Sequence, residues 1–265
     1  MPEFLYQWPL WIVFVAMIGF FVGASQLMLL FIRRKLVPSF RAELHERHFS
    51  STLISSMMVF YGLVAALIAV NVYENYSDVH KVTSRESASI SALYRDSAGY
   101  PEPTRSALQG AIRDYMEQII HQAWPQQKRG EMPTAGVAMV TRIEEVLFAY
   151  EPISEGQKVL HLQTLQAFNE MAVARRLRVD ANREGLPSSM WGVLIFGALL
   201  CLFAAGFEMA PSARMQSILQ ALLAALVAIV LFVTFVWDRP YLGEAGIDSG
   251  AYQLVYEQLM QPKAD

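Results

Sequence analysis

Histidines and acidic residues are the side chains in this 265-residue sequence whose spacing best suits metal chemistry. His45 and His48 lie three residues apart, with Glu43 and Glu46 beside them, and on a helix two such imidazoles can share a metal ion. No third ligand group lies nearby in sequence, so we interpret this segment as a solvated helix next to a membrane and predict no metal site. The remaining histidines are isolated in sequence: His80, His121 and His161.

Other classes of chemistry are excluded by composition and by missing motifs. No set of nucleophile, base and orienting residue can be assembled from the sequence, and no phosphate-binding loop is present, so we predict neither an enzyme nor a cofactor. A formal net charge of -3 is unlike the basic face of a nucleic-acid-binding protein. The single cysteine, Cys201, allows no internal disulfide.

Each of two basic clusters allows both a functional and a structural interpretation. Arg33, Arg34 and Lys35 can set membrane topology and can also contact anionic lipid head groups, and we expect both. A second cluster would concentrate anions if it faced a pore mouth, but a solvated face paired with Glu170, Asp180 and Glu184 explains it as well, and we favour that interpretation. This cluster consists of Arg175, Arg176, Arg178 and Arg183.

Hydrophobic residues make up 54% of the chain and charged residues only 17%, a balance typical of membrane proteins. Four stretches are long and apolar enough to span a bilayer: residues 10–32, 51–72, 190–207 and 215–237. The first has no basic residue before it and no cleavage site after it, so we interpret it as a permanent anchor and not as a signal peptide. Small residues lie on single faces of three stretches, which favours close helix packing: Gly19 and Gly23; Gly197, Cys201 and Ala205; Ala221, Ala224 and Ala228.

The basic residues also predict orientation. They follow the first apolar stretch and none precedes it, so the loop after this stretch should be cytoplasmic and the N-terminus outside. The region between the second and third stretches and the C-terminal tail then also lie outside the cytoplasm. We predict a multi-pass protein of an inner or plasma membrane, with both termini and this region extracytoplasmic.

Residues 74–189 form the one sizeable polar region, and their periodicity is helical. The clearest apolar stripe runs along residues 107–120, and a longer helix over 154–183 presents Val159, Leu162, Leu165, Phe168, Met171 and Leu177. The predicted fold is therefore all-α, with four transmembrane helices and a helical-bundle insert between the second and the third. We divide the chain into a first transmembrane pair (1–73), the bundle (74–189), a second pair (190–237) and a short tail (238–265).

The second apolar stretch carries two different faces. One has small residues suited to helix contact, from Ser51 to Ala69. The other is polar at both ends and apolar in its centre, as in a pore with a hydrophobic constriction, and it consists of Ser56, Phe60, Leu63, Leu67, Asn71 and Glu74. One four-helix subunit has too few helices to enclose a wide channel, so a pore requires a homo-oligomer.

The end of the fourth stretch is marked by Asp238, Arg239 and Pro240, with Gly243 shortly after. Pro240 ends the helix, and the neighbouring Asp238 and Arg239 can pair at the membrane interface. These residues form either a fixed structural corner, which we favour, or part of an outer pore mouth.

Several short motifs in a fixed order resemble the bestrophin-like domain family. They are Tyr73-Glu74, Glu86, Leu93-Tyr94-Arg95, Tyr100-Pro101, Arg105, Tyr115, Trp124-Pro125, Arg183, Leu186-Pro187 and Asp238-Arg239-Pro240-Tyr241-x-Gly243. The resemblance covers residues 50–243, with Tyr241 where the family usually has Phe. It implies distant similarity to bestrophins, which are pentameric anion channels with an apolar neck on the second span. Here Phe60, Leu63 and Leu67 would form that neck.

Two features depart from bestrophins. No acidic cluster of suitable spacing follows the fourth stretch, so the resemblance gives no basis for calcium gating. Bestrophins keep their soluble part in the cytosol, whereas the basic residues predict the bundle outside. We favour the prediction from the basic residues.

From these observations we predict an oligomeric, channel-like membrane protein that conducts small ions, with chloride the candidate, and whose other partners are membrane lipids. A membrane-anchored sensor or docking protein that acts through its extracytoplasmic bundle is the alternative.

Overall fold

The computed structural model describes residues 3–36, 47–182, 185–208 and 212–261, with the backbone alone at 47–50. The described residues are mainly helical and contain no strand. The α-helices, numbered in chain order, are α1 (Leu10–Phe31), α2 (Arg47–Ser97), α3 (Thr104–Gln118), α4 (Trp124–Lys128), α5 (Gly136–Phe148), α6 (Glu155–Asp180), α7 (Ser188–Ala205), α8 (Ala213–Asp238) and α9 (Gly250–Val255).

Two compact units make up the chain. The apolar unit comprises Met1–Glu74 and Gly185–Asp238, and the bundle unit comprises Asn75–Glu184 and Arg239–Asp265. The C-terminal segment therefore belongs to the same unit as the helices of the middle region. The sequence alone had set this segment apart as a tail.

Four helices of the described residues are long and apolar enough to cross a membrane: Leu10–Leu36, Ser51–Ser97, Ser188–Ala205 and Ala213–Asp238. In the apolar unit, α1 packs along α8, and both contact α7. Polar side chains link the helices: the Gln26 Nε2 atom donates to the Ser217 carbonyl over 3.1 Å, and the Gln220 Nε2 atom donates to the Leu202 carbonyl over 2.6 Å. Such hydrogen bonds favour helix association where no water competes for the donors.

Helix α2 is unusually long. Its 51 residues correspond to about 77 Å of helix, and its polar C-terminal half continues the apolar stretch without a break. No glycine or proline interrupts residues 63–98, so the sequence contains no helix breaker at this junction.

The bundle unit packs α3, α5 and α6 around an apolar core that includes Leu108, Ile112, Met116, Ile143 and Leu147. The predicted stripe of α3 forms the centre of this core. Helix α6 begins with a capping box, in which the Ser154 hydroxyl accepts from the Gln157 backbone and the Gln157 side chain accepts from the Ser154 backbone.

The predicted apolar stripe of α6 is only partly correct. Phe168 and Met171 are buried as expected, but Val159, Leu162 and Leu177 are more than half exposed. The buried side of α6 instead follows Thr164, Phe168, Met171, Ala174 and Arg178. The prediction used only apolar positions and therefore misplaced the buried side of α6. This side includes the charged Arg178, which the core accommodates because it has a buried partner.

Candidate functional site

The proposed pore face of α2 is exposed along its whole length within the apolar unit. Its six residues fall within a sector of about 80° on an ideal helix, since each is three or four residues from the next. All six side chains are exposed: Ser56, Phe60, Leu63, Leu67, Asn71 and Glu74. Only 6% of the most apolar window of α2 is buried inside the chain, against 22% to 33% for the other three candidate spans.

Other residues of α2 hold this helix against α7. The Tyr61 ring lies over Gly197, and its hydroxyl donates to the Leu194 carbonyl over 3.0 Å. Ala65 is buried on the same side. An apolar pocket of about 210 Å³ lies between α2, α7 and α8 next to Tyr61, Ala65 and Cys201. Tyr61 thus turns the six-residue face away from the chain's own helices.

The small residues on the spans differ in what they contact. A Cβ atom on Gly197 would lie 2.8 Å and 2.9 Å from ring atoms of Tyr61, so this glycine permits a close approach. Gly19 and Gly23 have no atom near the position of such a Cβ. Their side of α1 is therefore not explained by packing within one chain.

Asp238 lies buried at the end of α8 and accepts hydrogen bonds from three separate segments. The Leu186 backbone N–H donates to Oδ1 over 2.5 Å, and the Trp191 indole N–H donates to Oδ2 over 3.0 Å. The Tyr6 hydroxyl lies 3.3 Å from Oδ2. Asp238 therefore ties the N-terminal segment and the start of α7 to the end of α8. In the bundle unit, the carbonyl of the buried Pro240 accepts from the Ile247 backbone over 2.8 Å.

The basic triplet after α1 is divided between two environments. It lies in a π-helical turn, Ile32–Leu36. Arg33 is half-buried and donates to the Gln216 side chain of α8 over 2.5 Å. Arg34 and Lys35 are exposed, so their charged groups are available to lipid head groups.

No metal centre was found in the described part of the chain, where no group of three or more His, Cys, Asp or Glu side chains comes together. His45 lies outside the described residues, and only the backbone of His48 is described. His80 and His121 are exposed. Nδ1 of His161 lies 2.8 Å from the Tyr100 hydroxyl, and burial lowers the pKa of His161 below its ordinary value.

The predicted basic patch of α6 does not form one surface. Arg178 is 1% exposed, so it lies neither on a solvated face nor at a pore mouth. Arg176 is exposed, with Nε 3.8 Å from Asp180, and Arg175 is half-buried. Arg183 and Glu184 lie outside the described residues.

Glu86 and Arg178 are instead the centre of a buried polar cluster in the bundle unit. The Arg178 Nε atom donates to Glu86 Oε2 over 2.6 Å, and its Nη2 atom lies 3.3 Å from Oε1. The hydroxyls of Tyr115 and Tyr252 donate to the same carboxylate over 2.7 Å and 2.9 Å. Nη1 of Arg178 donates to the side chain of Gln127.

Aromatic rings enclose this cluster. The Arg178 guanidinium carbon lies 5.8 Å from the Trp124 ring centroid and 5.9 Å from the Tyr252 centroid, within the range of cation–π attraction. The Tyr241 hydroxyl donates to the Arg178 carbonyl over 3.2 Å. Five separate segments therefore meet at this one ion pair.

The cluster fixes the protonation states of its members. Burial disfavours a charged guanidinium, but the Glu86 carboxylate, together with Tyr252 and Tyr115, holds the pKa of Arg178 well above its ordinary value. Burial and then the Glu86 charge raise the pKa values of Tyr115 and Tyr252 well above the usual tyrosine range. Both carboxylate oxygens of Glu86 already have donors, so the arrangement suits structural stabilisation better than proton transfer.

The sequence contained a signal for this cluster. Glu86, Tyr115, Trp124 and Tyr241 all belong to the motifs quoted for the family resemblance, and the structure brings them together. Tyr252 was missed. Arg178 lies seven residues after Met171 and so on the same face of α6, and a charged residue on a core face indicates a buried partner.

A family description named Bestrophin-like domain matches residues 11–252, and the chain belongs to this family. The family resemblance is therefore confirmed. A comparison with curated protein sequences found no match.

The fold is also similar to solved structures. Two are crystal structures of a bacterial bestrophin homologue from Klebsiella pneumoniae, each carrying a mutation. One gives a TM-score of 0.72 at 7% identity and covers 93% of this chain and 97% of that chain. The other gives 0.71 at 10% identity and covers 92% and 99%. A third, described as a membrane protein, gives 0.72 at 7% identity and covers 94% and 99%. The protein thus has an all-helical, bestrophin-like membrane fold.

Proposed function

We propose that the protein is a homo-oligomeric, channel-like membrane protein that conducts anions along the exposed face of α2. The observation that supports this proposal best is the exposure of that face, which combines polar ends with an apolar centre. A lipid-facing helix would not need Asn71 and Glu74 on this side. An apolar constriction at Phe60, Leu63 and Leu67 would control ion passage through its wetting.

We infer an oligomer because one chain leaves α2 and an apolar row on α6 uncovered. Helix α2 is the least buried of the four candidate spans, and one copy has too few helices to surround a pore. In the bundle unit, Val159, Leu162, Val173 and Leu177 lie exposed along α6. Lipid does not cover apolar side chains outside the bilayer, so a second copy is the partner that we propose for this row. The bestrophin resemblance implies five copies.

The proposed topology has four crossings in an inner or plasma membrane. The bundle unit contains both Asn75–Glu184 and Arg239–Asp265, so these segments lie on one side of the membrane. An even number of crossings between them is required, and α7 and α8 supply two. The basic residues at 33–35 favour a bundle unit outside the cytoplasm.

The remaining predicted residues have supporting roles in this proposal. Asp238 acts as a structural corner, with Arg239 and Pro240 leading into the bundle unit. Arg34 and Lys35 contact anionic lipids at the cytoplasmic surface, each worth about 1 kcal/mol. Arg33 contributes less to lipid binding, since its guanidinium is hydrogen-bonded to Gln216.

Conductance of the purified full-length protein in planar bilayers tests the proposal. Phe60→Ala should raise unitary chloride conductance several-fold, because it widens the constriction. Phe196→Ala is the matched control: Phe196 on α7 is 70% exposed, like Phe60, but lies on another span, and its loss should leave conductance unchanged. Silence across pH, voltage and calcium, or equal effects of both variants, would contradict conduction through this face.

A docking role for the bundle is the second candidate, and the exposed row on α6 favours it too. A photo-crosslinker placed at Leu162 in intact membranes distinguishes the oligomer from the docking role. Products at multiples of the chain's own mass support the oligomer. A recurrent product of another mass, together with normal function after Phe60→Trp, supports docking.

A further inference from the structure

No side chain caps the first turn of α5, in which the Val137 backbone N–H donates to the Thr134 carbonyl over 3.3 Å. The first backbone N–H groups of any α-helix have no intrahelical acceptor and carry partial positive charge. Helix α5 has 13 residues, its N-cap residue Ala135 provides no side-chain hydrogen bond, and its first turn contains no acidic residue. The start of α5 at Gly136 is therefore electropositive and uncapped by a side chain.

Gln118, the last residue of α3, lies directly beside this turn. Its side chain is 5% exposed, and neither Oε1 nor Nε2 has a hydrogen-bond partner in the described protein. Oε1 lies 3.2 Å from the position that a Cβ atom on Gly136 would take, so the carboxamide is aimed at the start of α5. Buried polar groups are rarely left unpaired, which indicates a ligand that this carboxamide contacts.

Arg175 of α6 adds a positive charge at the same point. Its Nη2 and Nε atoms lie 3.1 Å and 3.3 Å from the same Cβ position on Gly136. Among the described residues, no carboxylate lies within 4.0 Å of its guanidinium. Three groups from different helices therefore lie close together: the uncapped start of α5, the unpaired carboxamide of Gln118 on α3 and the unpaired guanidinium of Arg175 on α6.

We propose that Gln118, Arg175 and the first turn of α5 bind a small inorganic anion of the halide class. An anion would accept from the guanidinium, from the backbone N–H groups and, after a 180° turn of the carboxamide, from Gln118 Nε2. Because the polar atoms of Gln118 are buried, the proposed ligand is a monatomic anion that enters as the carboxamide turns. The site lies within the bundle unit and is independent of the proposed conduction.

Thermal unfolding of the full-length protein in detergent tests the site, with chloride and then bromide as the probe and gluconate as the counter-anion at constant ionic strength. Replacing 150 mM gluconate by chloride should raise the Tm by about 3 °C. Gln118→Leu and Arg175→Gln should each abolish the chloride-dependent shift. Arg176→Gln, next to Arg175 but exposed, should retain it.

Bromide provides a direct readout that does not depend on stability. Crystals grown in bromide should show an anomalous peak within about 3.5 Å of Arg175 Nη2 and the Gln118 carboxamide, and Gln118→Leu should remove it. An anomalous peak too weak for bromide, as a bound water would give, would overturn the proposal. An equal chloride-dependent rise of the Tm in Gln118→Leu and in the unaltered protein would also overturn it. Neither result would affect the conductance test of the α2 face.

Discussion

Arg178 Nε lies 2.6 Å from Glu86 Oε2, and both side chains are almost completely buried, at 2% and 0% exposure. These two residues are 92 positions apart and join α2 to α6. A buried ion pair gains little over an apolar pair of similar shape, but removal of one partner leaves an uncompensated charge. The pair therefore specifies how the helices of the bundle unit meet.

Glu86→Gln should destabilise the bundle unit strongly. It leaves the guanidinium of Arg178 buried without a counter-charge, at a cost of about 3 kcal/mol, which corresponds to a Tm about 6–12 °C lower. Thermal unfolding in detergent measures the change. Glu155→Gln is the control, because its ion pair with Lys158 is exposed and should be worth less than about 1 kcal/mol. Equal Tm values for the two variants would contradict the structural role of Glu86.

Alkaline pH should destabilise the same cluster. Folding raises the pKa values of Tyr115 and Tyr252, so the unfolded chain releases these protons at a lower pH than the folded chain. Their contribution to stability is complete below about pH 10 and is lost as the pH rises above that value. Absorbance at 295 nm should show a set of tyrosines that ionise only on unfolding, and Tyr115→Phe and Tyr252→Phe should each remove one tyrosine from that set. Ionisation of all tyrosines before unfolding would refute the prediction.

Asp238→Asn should loosen the apolar unit. The Asn side chain has one acceptor oxygen for three converging donors, and its NH₂ group faces at least one of these donors. The free energy of unfolding should therefore fall by about 2 kcal/mol. Tyr6→Phe removes the longest of the three hydrogen bonds to Asp238 and the alternative bond of the same hydroxyl to the Phe235 carbonyl, and it should cost about 1 kcal/mol. Thermal unfolding that ranked Tyr6→Phe as the more harmful change would show that the donors to Asp238 do not stabilise this corner.

Gly197→Ala should separate α2 from α7. The new Cβ would lie under 3.0 Å from the Tyr61 ring, and overpacking of this kind costs about 1–3 kcal/mol. Gly192→Ala, on the same helix, meets no atom within 4 Å and should be close to neutral. Tyr61→Leu should restore part of the stability lost in Gly197→Ala. If the double variant is no more stable than Gly197→Ala alone, the ring contact is not the cause.

Glu74→Gln should increase chloride conductance if anions pass along α2. The exposed carboxylate at the outer end of the proposed pore face repels anions, and its neutralisation should have its largest effect at low salt. Single-channel recordings in 50 mM and 500 mM chloride measure the difference. Glu144→Gln, in the bundle unit, serves as a control for a general change of protein charge. A reduced chloride conductance in Glu74→Gln would argue for cation conduction instead.

Much of the fold could be predicted from sequence because long apolar stretches and helical periodicity are local signals. The bounds of α1, α7 and α8 agree with the predicted spans to within a few residues, the span predicted at 51–72 lies within the longer α2, and the core stripe of α3 is as predicted. The family resemblance rested on scattered motif residues, and several of these, such as Glu86 and Tyr115, meet in the structure through long-range contacts.

The rest depends on contacts that no local pattern contains. Arg178 looks like its neighbours Arg175 and Arg176 in sequence, and only the position of Glu86 on another helix decides that it is buried. Likewise, the tail after Pro240 is short and mixed in composition, so its pattern did not indicate that Tyr252 completes a buried cluster. Orientation and pore geometry involve the membrane and other copies, and they remain predictions.

Tyr252 follows α8 in the chain, and this order has a consequence for biogenesis. Its hydroxyl donates to Glu86, and Ser87 donates to the carbonyl of its neighbour Ala251 over 2.8 Å. The ribosome makes residues 75–182 well before this segment, with two hydrophobic helices synthesised in between. The bundle unit can therefore close its interior only after α9 has been synthesised, and an arrested nascent chain would expose an unfinished charged centre to quality-control proteases.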